Sequence, residues 1–161
     1  MRMVFLSIRA ITFAAGFIYL WAWAAWSVRR LDHNMKLAFP EWLAGVSVIL
    51  MASGALLAAA CVAAFVAKGR GTPAPFDPPQ RFVAAGPYRW VRNPMYIGGI
   101  AMLAGFGLYE GSPSILALAA AAFLIAHLMV VLYEERTLAA NFGSEYQEYC
   151  GRVPRWIPRR P

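Results

Sequence analysis

Apolar and polar positions fall in long blocks along this chain. The first apolar run covers about 4–27, within "MRMVFLSIRAITFAAGFIYLWAWAAW", and holds one charge, Arg9, near its start. An arginine that close to an end extends its head group toward water while its stem stays in apolar surroundings. Arg29, Arg30, Asp32, His33 and Lys36 then form a short polar loop. Pro40 and Glu41 open a second run over about 42–67, which Lys68, Gly69, Arg70 and Gly71 close. The third run, about 95–109, is short. At 1.5 Å per residue it reaches roughly 22 Å, less than the hydrocarbon core of a bilayer. The fourth, about 113–133, follows Ser112-Pro113 and runs into "LYEERTLAANFGSEYQEYCGRVPRWIPRRP". A span needs about 20 mostly apolar residues. The pattern predicts an all-α integral membrane protein with about four transmembrane helices, a cytosolic loop and a short interfacial C-terminal helix after Gly143. Residues 1–67 carry the first two helices. Residues 68–161 carry the loop, two further helices and the tail, in one structural domain with 1–67.

Composition sharpens this. The 161 residues are 60% hydrophobic and 14% charged, with mean hydropathy +0.51, whereas a soluble domain is nearer half apolar and a quarter charged. About four spans leave no room for a separate soluble catalytic domain, so any chemistry sits on loops, helix ends and the tail. The net charge of +7 raises the question of nucleic acid. The basic residues flank apolar runs, however, and membrane topology with anionic head groups accounts for them without a nucleic-acid partner. Cys61 and Cys150 give neither a metal spacing nor a disulfide framework. The first apolar run is longer than a signal core and lacks a clear small-residue cleavage site, so it is expected to be a span.

The distribution of lysine and arginine predicts orientation. With four spans, one side holds Arg2, Lys68, Arg70, Arg81, Arg89, Arg92, Arg136, Arg152, Arg155, Arg159 and Arg160, and the other holds Arg29, Arg30 and Lys36. The first side is expected to be cytoplasmic. It carries both termini, the 68–94 segment and the tail. An Ala- and Arg-rich composition is compatible with a bacterial plasma membrane.

Those segments also hold the candidate chemistry. "KGRGTPAPFDPPQRFVAAGPYRWVRNP" carries six of the eleven prolines and five basic residues. Proline-rich backbone leaves groups unpaired and belongs in water or at the interface. Tyr88, Trp90 and Tyr96 stand beside Arg89 and Arg92, an arrangement that serves an interfacial aromatic belt or faces for a cation. A belt does not need Asn93-Pro94. Proline at the first helical position fixes the helix start, and free N–H groups there suit an anion. In "HLMVVLYEERTL" an apolar helix meets water at Tyr133, Glu134 and Glu135. Neighbouring helix positions point about 100° apart, so one glutamate is expected to face the bundle and the other solvent or Arg136. His127, two turns earlier, reads as a packed or hydrogen-bonded helix residue rather than a ligand. Gly98, Gly99, Ala101, Gly105 and Gly107 serve either close helix packing or room for a lipid to pass.

"GPYRWVRNPMYIGG", then a span, then "YEE", then "FGSEYQEYCGRVPRWIP" is similar to the membrane methyltransferases that include isoprenylcysteine carboxyl methyltransferases and phospholipid N-methyltransferases. The resemblance covers about 80–158 and rests on the order and spacing of the three motifs. It implies S-adenosylmethionine as cofactor, whose carboxylate, ammonium and sulfonium suit the residues above. It places the cofactor contacts on Gln80, Arg81, Phe82, Val83, Tyr88, Asn93, Pro94, Met95, Tyr96 and Glu134. It implies Glu134, Glu135 and Arg92 as catalytic candidates, with the lipid bilayer and a lipid-like methyl acceptor as partners.

Two departures from the family pattern matter. The commonest loop is Arg-His-Pro, where this chain has Arg92-Asn93-Pro94; asparagine does not titrate near neutral pH. Isoprenylcysteine methyltransferases tend to carry an arginine one turn before Glu134, where this chain has Val130. Both lean the expectation toward a lipid amine or another non-carboxylate acceptor. Carboxyl O-methylation remains an alternative, as does a non-catalytic membrane scaffold. An amine acceptor must shed a proton, to Glu134 or Glu135 directly or through water. The tail reads as a cover over the cofactor or as a basic flank at the membrane surface.

Overall fold

The structure is a computed structural model that describes residues 2–32, 35, 37–69 and 82–158. Among these it is helical without strands. Helix α1 spans Arg2–Arg29, α2 Trp42–Ala64, α3 Pro94–Glu110, α4 Pro113–Met129 and α5 Glu135–Arg152. A wide π turn, Phe65–Gly69, extends α2, and a second, Val130–Glu134, joins α4 to α5. Of the described helices, Trp42–Ala67 and Pro113–Arg152 are long and apolar enough to cross a membrane. In their most apolar stretches only 11% and 28% of the residues are buried. A soluble core helix of that hydropathy would be mostly buried, so these faces call for an apolar solvent.

Helix α2 packs on α3, α3 on α4, and α4 on α1. The α2–α3 seam is a glycine contact. A Cβ at Gly98 would lie 2.7 Å from the Gly54 carbonyl oxygen, and one at Gly54 would lie 2.5 Å from that of Gly98. A Cβ at Gly105 would lie 2.9 Å from the Ser47 oxygen. Gly107 is as tightly placed against Leu116. Close packing, not a lipid passage, is therefore what Gly98, Gly105 and Gly107 provide. Gly99 alone of the stripe's glycines has nothing within 4 Å of its Cβ position. Ala25, Leu103, Ile115, Ala119 and Ala122 form the buried junction of α1, α3 and α4.

The two ends of the bundle are tied differently. At one end, Gly111 adopts φ 60° to close α3, and Ser112 caps α4 by accepting from the Ile115 amide at 3.1 Å. Pro113 follows at the first helical position, where no N–H is needed. Asp32 adds to this cap: its carboxylate accepts from the Ser112 hydroxyl and, at 3.1 Å, from the Ser114 amide. These bonds hold the Asp32 carboxyl below the usual carboxylate range, Ser112 contributing most. Arg29 pairs with Glu110 at 2.5 Å beside it. The opposite end gathers the 82–96 segment, the α4–α5 junction and the tail. Within α5, Gly143 leaves helical geometry at φ 52°, ψ −126°, so the helix breaks where the sequence places the start of the interfacial piece.

Candidate functional site

The site is built from three stretches. The first enters with Phe82 and Val83 in extended backbone, turns through a 3-10 turn at Gly86–Arg89, and begins α3 at Pro94. Tyr88 is buried against Cys61 and Val83, with Phe65 edge-on at 5.2 Å. That burial, foremost among its causes, pushes the Tyr88 phenol well above its ordinary pKa and keeps it neutral. Pro94 is fully buried. Asn93 precedes α3 without capping it by its side chain; its amide instead donates to the Arg155 carbonyl at 3.2 Å.

The second stretch is the α4–α5 junction. A π turn admits an extra residue into the helical turn and recurs at functional sites. Here it presents both glutamates to the loop. Glu134 accepts from the Tyr96 hydroxyl. Glu135 accepts from Arg155 at 2.7 and 2.9 Å and pairs with Arg92 at 3.0 Å. The expectation that the second glutamate meets solvent or Arg136 is thus overturned, because the loop and tail bring two guanidiniums onto it.

The third stretch is the second half of α5 with the tail. Phe82 packs among Phe142, Tyr146 and Tyr149, and Tyr149 donates to the Tyr88 carbonyl at 2.7 Å. The Arg92 amide donates to the Pro154 carbonyl at 2.9 Å, and its guanidinium reaches the Cys150 sulfur at 2.9 Å. Arg92 Nε is buried with no hydrogen-bond partner. His127 accepts from the Trp156 indole at 3.1 Å, consistent with a hydrogen-bonded helix residue.

Together these stretches line a small cleft that is partly open to solvent. Phe82, Val83, Tyr88, Arg92, Asn93, Glu134 and Glu135 line it. Pro94, Met95 and Tyr96 lie just behind, Met95 against the Tyr88 cluster and Tyr96 on Glu134. Gln80 and Arg81 lie outside the described residues. Trp90 is 61% exposed and does not line the cleft. Sequence reasoning did not find Tyr146, Tyr149 or Val130 as cleft walls, nor Arg155 as a partner of Glu135. The only local signal was the three-residue spacing of the tyrosines after Gly143.

A family model described as phospholipid methyltransferase matches residues 42–145, which is most of the chain. The chain belongs to the phospholipid methyltransferase family. Among curated proteins it is 35% identical over 77 residues to cobalt-zinc-cadmium resistance protein CzcN of Cupriavidus metallidurans, covering 48% of this chain and 35% of that protein. It is 35% identical over 72 residues to methanethiol S-methyltransferase 2 of Bradyrhizobium diazoefficiens, covering 45% and 27%. The matched stretch therefore spans about a third of the length of these relatives. Among solved structures it resembles the eukaryotic intramembrane Ras methyltransferase ICMT (isoprenylcysteine carboxyl methyltransferase). That likeness has a TM-score of 0.62 and 19% identity, over 89% of this chain and 52% of that one. It extends to the fold: an ICMT-like, all-helical membrane architecture.

Proposed function

We propose that this chain is a membrane-embedded methyltransferase that takes its methyl group from S-adenosylmethionine and passes it to a lipid-like acceptor, an amine or other non-carboxylate. The observation that carries the reading is the cleft itself. The three motifs of the family pattern, far apart in sequence, line one cavity at one end of the bundle. Its chemistry suits the cofactor. Arg92 offers a buried N–H without a partner to a carboxylate. Tyr88 and the neighbouring aromatics offer π faces to a sulfonium. Glu134 offers a carboxylate to an ammonium or to ribose hydroxyls.

The bound cofactor supplies an electrophilic methyl group; the protein supplies alignment and exclusion of water. Glu134 Oε1 accepts a hydrogen bond from the Tyr96 hydroxyl, and its carboxylate is the group placed to receive a proton from an amine acceptor. Glu135 is shared by two guanidiniums. It serves as their counter-ion and positions Arg92 rather than acting as a base. Val130 is fully buried where an acceptor-binding arginine would stand. Arg92 is the arginine among the described residues that line the cleft, and Glu135 engages it. Carboxyl O-methylation is the second reading, favoured only if the free Arg92 Nε serves the acceptor.

The same reading places four helices, α1 to α4, across a bacterial inner membrane, with both termini, the cleft and the tail on the cytoplasmic face. The Lys/Arg asymmetry supports this, and the cofactor is made on that side.

Calorimetry of S-adenosylmethionine binding to purified protein, with Glu134→Ala and Tyr96→Ala beside it, tests the proposal. Binding to the wild type that is lost in both variants is the expected result. At 100 times the dissociation constant, the ligand should add about 2.7 kcal/mol of stability. Absence of binding to folded wild type would leave the scaffold reading.

A further inference from the structure

Trp156 occupies a position that the cofactor cleft does not explain. Its ring lies 5.2 Å from Phe123, 6.1 Å from His127 and 6.5 Å from Tyr96, centroid to centroid. Phe123 and His127 sit four residues apart and share one face of α4. That face is outward: Phe123 is 43% exposed, and Leu124 and Leu128 beside it are exposed as well. On its other side, Tyr96 donates a hydrogen bond to Glu134, which lines the cleft. The indole therefore stands between the apolar outer surface of α4 and the carboxylate of the site.

Its placement is enforced. The indole N–H is used on His127 Nδ1, so the surface it presents is otherwise apolar. The backbone on either side of Arg155 is held by Arg92 and Asn93, and Arg155 itself by Glu135. A lidding segment without a role at the bilayer face would not need an aromatic wall there.

We propose that Trp156, with Phe123 and His127, forms the apolar wall along which the acceptor's hydrocarbon part lies when its head reaches Glu134, making Trp156 a specificity-determining residue for acceptor chain size. This rests on the methyl-transfer reading above. It adds the side of approach and the residue that measures the chain.

Two arms test it. In the first, full-length protein in phosphatidylethanolamine/phosphatidylglycerol nanodiscs is photolabelled with a diazirine-bearing long-chain alkyl thiol and alkyl amine. Labelling concentrated on the peptides holding Phe123–His127 and Trp156 is expected. Labelling spread evenly over the outward faces of α1 and α2 would overturn the proposal, whether or not turnover is found. In the second, radiolabelled methyl transfer to short and long n-alkyl thiols and amines is compared for wild type, Trp156→Ala, Trp156→Phe and His127→Ala. Trp156→Ala should shift the long-to-short ratio of kcat/KM by about tenfold or more, with Trp156→Phe near wild type. Calorimetric affinity for S-adenosylmethionine should stay within about twofold, since Trp156 does not line the cleft. An unchanged ratio, or an equal loss of cofactor affinity in both Trp156 variants, would refute the assignment. Failure of wild type to bind S-adenosylmethionine would instead count against the methyl-transfer reading, and the photolabelling arm would still decide the acceptor surface.

Discussion

Gly98 and Gly99 are sequence neighbours whose substitution should have opposite effects. At Gly98 a methyl group would stand 2.7 Å from the Gly54 carbonyl oxygen and 3.2 Å from the Ala58 amide nitrogen, both backbone atoms. No rotamer change relieves that, so α2 and α3 must separate. Overpacking of this kind costs about 1–3 kcal/mol, against a gain of about 1 kcal/mol for replacing glycine by alanine in a helix. At Gly99 nothing lies within 4 Å, and only the gain remains. Gly98→Ala should therefore be less stable than Gly99→Ala by about 1–3 kcal/mol, or roughly 2–12 °C in Tm for a chain of this size. Since α3 starts at Pro94 and carries Tyr96, separation at Gly98 should also weaken the S-adenosylmethionine binding proposed above, while Gly99→Ala should not. Thermal unfolding in detergent, followed by calorimetry, reads both. Equal stability of Gly98→Ala and Gly99→Ala would show that α2 and α3 do not meet backbone to backbone at Gly98. Gly54→Ala probes the same seam from the other helix, with a 2.5 Å clash.

Other predictions follow from the cap, the kink and the tail. The Asp32 carboxyl is held below its unfolded value, so its contribution is complete above the ordinary aspartate pKa of about 3.9 and lost as pH falls through the lowered one. Thermal stability of wild type should drop across that acidic window, and Asp32→Asn should flatten the drop. Gly143→Ala places a side chain at φ 52°, ψ −126° with open space around it. Backbone strain alone should cost about 1–3 kcal/mol, visible as a lower Tm. Arg155→Ala removes the paired hydrogen bonds to Glu135. Exchange of the Arg92 amide, which donates to Pro154, should then quicken by on the order of tenfold.

Local signals in the sequence located most of the helix boundaries. Ser112-Pro113 does start α4, Pro94 does start α3, and Gly143 does interrupt α5, because caps, prolines and glycines act within a few residues of where they stand. The second apolar run matches the Trp42–Ala67 helix. The contacts that shape the site join residues distant in the chain. Tyr149 to Tyr88, Arg155 to Glu135, Trp156 to His127 and Asp32 to Ser112 leave no periodic trace. The same holds for the glutamate pair: helix geometry alone offers the second one solvent or Arg136, whereas the tail and loop bring Arg155 and Arg92 onto Glu135. The glycine stripe was ambiguous because spacing does not reveal what the facing helix presents.

The helix from Pro113 to Arg152 carries one further consequence. Up to the break at Gly143 it is one continuous rod, about 45 Å long at 1.5 Å per residue, well beyond the hydrocarbon thickness of about 30 Å. Glu134 and Glu135 therefore move with this apolar rod, while Tyr96 lies on α3 and Arg92 in the loop before it. Any tilt that a thinner or thicker bilayer imposes on the rod becomes a displacement between the two halves of the cleft. On the proposed membrane placement, bilayer thickness is expected to alter the spacing of Glu134 and Tyr96, with the helix as the lever and Gly143 as the joint between it and the tail.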